Sequence, residues 1–510
     1  MGQEDAPPAL PSVSPGKRSS SNVVQQQTYS ASIFLRRKEK MVQTQQKCIA
    51  IFALFSCFAV LVALICSSVD FWWDDEDGIT EENCSRNCRI ALVENIPDDL
   101  SLPGHERPRL ALSVGFHTLL EQAKHSVEVV SPVWDLETTS SAAKQGQLLF
   151  QQLLSLKSRG VKLKIASSLT NSAELKTLTA HGAEVHFVNM TAIARGGLRS
   201  SFMIVDRKHI YMGSAHMDWR SLSKRKELGL VVYNCSCLAL DLHRVFSFYW
   251  QLHDRDYIPS IWSKRVTALY GRHDPLELQF NATHATAYVS TSPELFCPKD
   301  RTRDIDAIYQ VVQSAKAFIF ISVTDYLPLV NRSFRGTSVT RYWSPLDEVI
   351  REAVVLRRVR VRLLISFWKK THPLTFNFVT SLKSLCMHLH NCSLEVKFFT
   401  HREQKDDLQL GLNHNKYMVT DNAVYIGNHD WVGTDFAFNA GVGLVVQVKN
   451  TPVNREVTIL DHVRAAFERD WTSRHANSLQ GGKDQQGKYR GWQQEESHKD
   501  ENEWKSPLSL

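Results

Sequence analysis

No sign of charge dominates this chain: 60 Lys and Arg stand against 53 Asp and Glu, a net +7 over 510 residues. A balance this even selects no partner, whether nucleic acid, anionic lipid or neither. The signs of disorder are missing from the bulk, since 43% of residues are hydrophobic and 10% aromatic, as in ordinary globular proteins. Zinc-ligand patterns are missing too. The nearest spacings, Cys84-x3-Cys88 and Cys235-x-Cys237, have no His pairs beside them, so no metal and no cofactor is implied. A cleavable secretory leader is not expected either, because such leaders have a shorter apolar stretch near the start, and the first apolar run here begins after nearly fifty residues.

That run, Cys48 to Val69, is twenty-two residues without a charge. As a helix it would reach about 33 Å, enough to cross a hydrocarbon core. Arg36, Arg37, Lys38, Lys40 and Lys47 precede it, and Asp70, Asp74, Asp75, Glu76 and Asp77 follow it. Basic flanks stay cytosolic, so we expect a type II signal-anchor with the body lumenal or extracellular, in the secretory or endolysosomal pathway. Six Asn-x-Ser/Thr sequons, at Asn83, Asn189, Asn234, Asn281, Asn331 and Asn391, all follow the span. Of the ten cysteines, Cys48, Cys57 and Cys66 lie inside it. Among the other seven we expect the Cys84/Cys88 pair to join the Cys235/Cys237 pair, and Cys386 to close a short loop with Cys392. Cys297 is then left over.

Organisation follows from composition and repetition. Residues 1–47 read as a disordered cytosolic tail, 48–69 as the anchor, 70–88 as a stalk and 476–510 as a mobile polar tail. Between them lies a duplication. Val127-Glu-Val-Val-Ser131 matches Phe318-Ile-Phe-Ile-Ser322, and Val161-Lys-Leu-Lys-Ile165 matches Val359-Arg-Val-Arg-Leu363. Ala183-Glu-Val-His-Phe187 matches Leu394-Glu-Val-Lys-Phe398, and Phe202-Met-Ile-Val-Asp206 matches Tyr417-Met-Val-Thr-Asp421. Amphipathic stretches carrying Leu149, Leu153 and Leu156, or Leu346, Ile350 and Val354, alternate with these short β-rich runs. The expected fold is α/β: two similar sandwich halves, 89–258 and 286–475, joined by a connector at 259–285 and packed about a pseudo-twofold axis.

The chemistry concentrates at Leu412-Asn-His-Asn-Lys-Tyr-Met-Val-Thr-Asp421, where His414, Lys416 and Asp421 form His-x-Lys-x4-Asp. Strand alternation would put His414 and Lys416 on one face. A neutral imidazole can attack phosphorus or protonate a leaving oxygen, and an ammonium group can neutralise a non-bridging oxygen. The corresponding stretch of the first half fails. Arg199 stands where His is expected and Ser201 where Lys is expected, and only Asp206 fits. Arginine stays protonated and offers no lone pair, and losing one member of a catalytic unit removes most of its rate.

On these residues the chain resembles the phospholipase D superfamily. Met217-Asp-Trp-Arg-Ser221, Lys226-Glu-Leu-Gly229 and Tyr233-Asn-Cys-Ser-Cys237 look like its type II transmembrane group. That group includes endolysosomal members acting on single-stranded nucleic acid and on phospholipids. The resemblance implies that one histidine becomes phosphorylated while the other serves as acid and then base, and that the motif Asp orients a histidine across the two halves. It also implies a Gly-Ser/Thr-x-Asn element after each motif. Here those elements read Gly213-Ser-Ala-His216 and Gly427-Asn428 onward.

A phosphate would then meet Lys416, Asn428 and Arg199, although Arg199 could equally pair with Asp206 or Asp421. His216 is expected to be structural or to face solvent; in the basic run Arg357, Arg358, Arg360 and Arg362, alternation puts the latter three on one strand face, a solvated sheet edge rather than a nucleic-acid patch. The leading expectation is a membrane-anchored pseudoenzyme that binds a phosphate-containing ligand or a protein partner. The alternatives are a weak phosphodiesterase acting through His414 on phospholipid or single-stranded nucleic acid, and a regulator forming a homodimer or a heterodimer with active relatives.

Overall fold

A computed structural model describes residues 47–63, 84–102, 110–258, 266–280, 283–334, 337–401, 411–449 and 457–478. The chain divides into two units, Met1–Gly78 and Ile79–Leu510. In the first, residues 47–63 form one helix on which Ile49, Phe52, Leu54, Phe55 and Phe58 are exposed. Among the described residues no helix is long and apolar enough to cross a membrane. The remainder of the expected span, and the sequons Asn83 and Asn281, lie outside the described residues.

The second unit is built on two large mixed sheets. The first sheet contains β1 (Arg89–Asn95), β2 (Ser126–Ser131), β3 (Lys162–Ser168), β4 (Glu184–Val188), β5 (Phe202–Val205), β6 (His209–Gly213) and β7 (Glu227–Tyr233). Its spatial order is β1-β7-β6-β5-β2-β3-β4. The second contains β8 (Leu276–Phe280), β9 (Thr283–Ser292), β10 (Phe318–Val323), β11 (Arg360–Ser366), β12 (Leu394–Phe399), β13 (Tyr417–Thr420), β14 (Ala423–Gly427), β15 (Gly441–Val448) and β16 (Ala476–Ser478). Its order, β8-β9-β15-β14-β13-β10-β11-β12-β16, repeats the first from β9 to β12 and adds an edge strand at each end. The second sheet therefore begins at Leu276, inside the stretch read as connector. The polar tail yields three residues to it, because Ala476, Asn477 and Ser478 pair with Phe399, Phe398 and Lys397.

Period-two alternation decides which side chains go where. Met203 and Val205 on β5 pack outward under α1 (Leu112–Gln122), α2 (Lys144–Ser155) and α3 (Ala173–Ala180), whereas Phe202 and Ile204 face inward. In the second half Met418 packs outward with α5 (Asp304–Ser314), α6 (Pro345–Val355) and α7 (Leu374–Ser384), and Tyr417 and Val419 face inward. The inward faces of both sheets share one core with α4 (Ser236–Gln251) and α8 (Ile459–Thr472). Two helical layers thus enclose two sheets, and the halves meet across a continuous apolar interior.

The disulfides join Cys84 to Cys237, Cys88 to Cys235, and Cys386 to Cys392, as expected. The first two fasten the segment ahead of β1 to α4, so residues 84–88 belong to the body rather than to a stalk. Cys297 is free. Asn234, Asn331 and Asn391 are exposed, whereas Asn189 caps the short helix Met190–Ala194.

The arginine run is solvated at Arg358 and Arg360 but does not lie at a sheet edge. β11 is an interior strand, Arg360 and Arg362 lie over the Phe320 ring, and Arg362 also pairs with Glu395. Arg357 donates to the carbonyls of Val312, Gln313 and Ala315, closing the end of α5.

Deep in the body, Lys226 is fully buried and sits 2.5 Å from Asp470 and 3.9 Å from Glu94. Arg469 forks onto Glu94 at 2.7 and 3.1 Å and reaches Asp470 at 3.0 Å. Two cations and two carboxylates therefore neutralise one another between β1, α8 and the start of β7, which is the usual condition for charge inside an apolar core.

Candidate functional site

His414 and Lys416 lie on the extended approach to β13 rather than within it. Main-chain pairing positions them. The His414 N–H donates to Lys226 O at 2.8 Å, and Asn413 bridges Lys226. The twin segment docks in the same way: Arg199 N–H donates to Ala440 O at 2.7 Å, and Leu198 bridges Ala440. Exchanging the halves turns one bridge into the other, so each motif is held by the opposite half.

The motif Asp does not orient a histidine. Asp421 accepts from the amides of Lys316 and Ala317 at 3.0 Å, and Asp206 accepts from Lys124, His125 and Ser126 at 2.8 Å. Each locks the turn after its strand, roughly 20 Å of extended chain from its motif's first residue. The partner of His414 is Glu227, the first residue of β7, whose carboxylate oxygens lie 3.1 and 3.0 Å from Nδ1. Nδ1 donates to that carboxylate, which leaves the Nε2 lone pair free. Glu227 also accepts from Ser214 Oγ at 2.5 Å and Ser221 Oγ at 2.9 Å. Burial pushes the Glu227 carboxyl above its ordinary range against the pull of Arg225 and Lys416. Burial, with the charges of Lys416 and Arg225, holds His414 well below the usual imidazole range, so it is neutral.

Lys416 Nζ is held loosely, 3.4 Å from Thr324 Oγ1, 3.4 Å from His414 O and 3.7 Å from Asp430 Oδ2. Asn428 is not free for phosphate. It is buried, donates to Gly213 O at 2.8 Å and Ser201 O at 3.4 Å, and accepts from Val442 N–H at 3.2 Å, so it ties the halves together. His216 is brought to the site instead of serving the scaffold: its ring centroid lies 5.5 Å from that of His414. Its Nδ1 is buried without a hydrogen-bond partner among the described residues. Burial, and then His414, drive its pKa well down.

The opposing half-site is empty of chemistry. Arg199 is exposed, and its charge acts on His414, His429 and Asp435 rather than pairing with Asp206 or Asp421. Ser201 Oγ turns away to Ala215 O at 2.5 Å. A third loss was not visible in the motif. By the strand correspondence Gly441, the first residue of β15, is the twin of Glu227, so no carboxylate waits on that side. A Cβ on Gly441 would run into the His429 imidazole, which is hydrogen-bonded to Ser292 Oγ.

Three carboxyls complete the cleft: Asp325 after β10, and Asp430 and Asp435 in the segment after β14. Asp430 Oδ1 accepts from the amides of Thr324 and Asp325 at 3.0 and 3.2 Å. Asp325 Oδ1 accepts from Trp368 Nε1 at 3.1 Å, and Asp435 Oδ1 accepts from Asn439 Nδ2 at 2.8 Å. Burial, and then the Asp430 charge, push Asp325 up to about 8, and burial raises Asp435 to about 6 against the pull of Arg199. Among the described residues no group of three or more His, Cys, Asp or Glu is placed to hold a metal ion.

Asp325 carries a stability signature with a definite sign. Its folded pKa of about 8 lies above the ordinary aspartate value of 3.8. Between those values the unfolded chain gives up a proton that the fold retains, so this group's contribution falls as pH rises through that window. Asp325→Asn keeps the acceptor for Trp368. Its melting temperature should gain on the parent's between pH 5 and pH 8, and parallel pH–melting curves would refute the assignment.

Sequence comparison places these observations in a family. Residues 106–404 match the model described as "PLD3/4, PLD-like domain". The chain is 53% identical to mouse "Inactive phospholipase D5" over 90% of its own length and 86% of that protein's. It is 39% identical to human "5'-3' exonuclease PLD4", covering 78% of this chain and 80% of the relative. It is 38% identical to the bovine "5'-3' exonuclease PLD3", covering 79% and 83%. The chain belongs to the PLD3/4-like branch of the phospholipase D family.

Proposed function

We propose that this protein is a membrane-anchored phospholipase D-like pseudoenzyme that binds a phosphate-containing ligand or a protein partner without hydrolysing a phosphodiester. One observation carries the reading. A single complete half-site, His414 with Glu227 and Lys416, faces a side where Arg199, Ser201 and Gly441 supply neither nucleophile, ammonium group nor base. Two-step phosphoryl transfer through a phosphohistidine needs a second group to protonate the leaving oxygen and then activate water. The name of the mouse relative, "Inactive phospholipase D5", points the same way.

The anchor belongs to this proposal as well. It is supported by the uncharged run 48–69, by the change from basic to acidic flanks, and by disulfides suited to an oxidising compartment. The exposed sequon residues Asn234, Asn331 and Asn391 would carry glycans on the same side.

The test uses full-length protein in detergent, assayed on bis(p-nitrophenyl) phosphate, a phospholipid and a single-stranded oligonucleotide. The expected result is no turnover above background, unchanged in His414→Ala. Hydrolysis that disappears in that variant overturns the proposal. A weak phosphodiesterase is the second reading, favoured by His216 standing 5.5 Å from His414, ring to ring. A phosphoryl adduct on either histidine, trapped and located by mass spectrometry, would establish it.

A further inference from the structure

A pocket meant for a tetrahedral oxyanion should present its cations unopposed, and this one does not. Lys416 Nζ has three acceptors, all from its own chain and none nearer than 3.4 Å. One is the Asp430 carboxylate, seated by two backbone amides so that Oδ2 faces the ammonium group. Asp430 follows Gly427-Asn428-His429, the place at which the family element has Asn. An amide there would keep the two backbone hydrogen bonds through its oxygen and turn N–H donors toward an anion. The acid instead puts negative charge where the anion's oxygen would lie.

We propose that Asp430 is a resident competitor for the oxyanion site on Lys416, and that proton uptake by its neighbours Asp325 and Asp435 lowers the negative charge around that site, so that the cleft takes up a tetrahedral oxyanion together with protons. This rests on the phosphate-site reading above and adds its regulation.

The groups facing Lys416 come from every surrounding element. The approach to β13 supplies His414, and the loop after β10 supplies Asp325 beside Thr324. The loop after β14 supplies His429 and Asp430, and the short helix Gly433–Phe438 supplies Asp435. The first half supplies Arg199, His216, Arg225 and Glu227.

Of these, Asp325 takes up its proton as pH falls through about 8 and Asp435 through about 6. Each uptake removes one negative charge from the path of the incoming anion. His429 lies at about 4, and His216 and His414 are held well below the usual imidazole range, so none of the three charges first. Anion binding and proton uptake then reinforce each other, as linkage requires.

Sulfate is the probe, because it keeps its double charge throughout the range. Its binding to full-length protein in detergent, read by calorimetry, should be about tenfold or more tighter at pH 5.5 than at pH 8. Asp430→Asn should bind more tightly than the parent at both pH values, and Lys416→Met should not bind. If Asp430→Asn does not fold, Asp435→Asn should tighten binding at pH 8. Free phosphate and a short-chain phosphatidic acid below its micellar concentration, run side by side, distinguish a free ion from a headgroup. Equal sulfate affinity at both pH values, unchanged by Asp430→Asn, overturns the competitor while leaving the site. Failure of every form to bind at either pH overturns the phosphate-site reading itself.

Discussion

Lys226→Met is expected to cost about 3–5 kcal/mol of stability, the largest loss we foresee from a single substitution. The side chain is fully buried, 2.5 Å from Asp470 and 3.9 Å from Glu94. Methionine fills a similar volume but leaves two interior carboxylates to share Arg469 alone. Water cannot reach the excess charge, and the 2.5 Å contact to Asp470 is a charge contact that no neighbouring donor replaces. Replacing the pair together, as Lys226→Met with Asp470→Leu, restores neutrality by leaving Arg469 with Glu94, so much of the loss should return.

Urea unfolding of the two variants, followed by tryptophan fluorescence, measures the loss and its recovery. A single variant within about 0.5 kcal/mol of the parent would show that the network is solvated rather than sealed.

The second large effect concerns repair of the lost half-site. Restoring the motif alone, as Arg199→His with Ser201→Lys, is expected to give no phosphodiester turnover. The new histidine would face Gly441, where its partner faces Glu227. Without a carboxylate on Nδ1 its tautomer and orientation are not set. Gly441→Glu cannot simply be added, because the His429 ring occupies the space its side chain needs.

Adding Gly441→Glu and His429→Ala to the motif pair should therefore be the first combination to show hydrolysis, at least about a hundredfold above the motif pair alone. That activity should vanish with His414→Ala. Turnover by the motif pair alone would mean that the carboxylate is dispensable. Folded but silent quadruple protein would mean that Asp430 or another feature blocks the cleft as well.

Much of the architecture was legible in the sequence because repetition and alternation report directly on packing. Phe202-Met-Ile-Val-Asp206 and Tyr417-Met-Val-Thr-Asp421 became β5 and β13 with their turns, and the cysteines joined as expected. What failed was the assignment of roles within the motif. The spacing of Asp421 from His414 is constant for a reason internal to one half, a turn lock, and spacing alone cannot distinguish that from contact across halves. Glu227 was in view within Lys226-Glu-Leu-Gly229, and a charged pair opening an otherwise apolar strand was the signal that could have exposed it. Its twin, Ala440-Gly441, would then have revealed the third loss. Asp325, Asp430 and Asp435 had no such signal, because the connection after β10 meets the one after β14 only in the folded chain.

The two junctions at Arg199 and His414 are made by peptide groups, and a peptide N–H is the same in every residue but proline. Whichever side chain stands at either place, the halves dock with the same hydrogen bond. Architecture here is therefore insulated from chemistry. A lineage could discard its reactive groups one after another while each intermediate still folded.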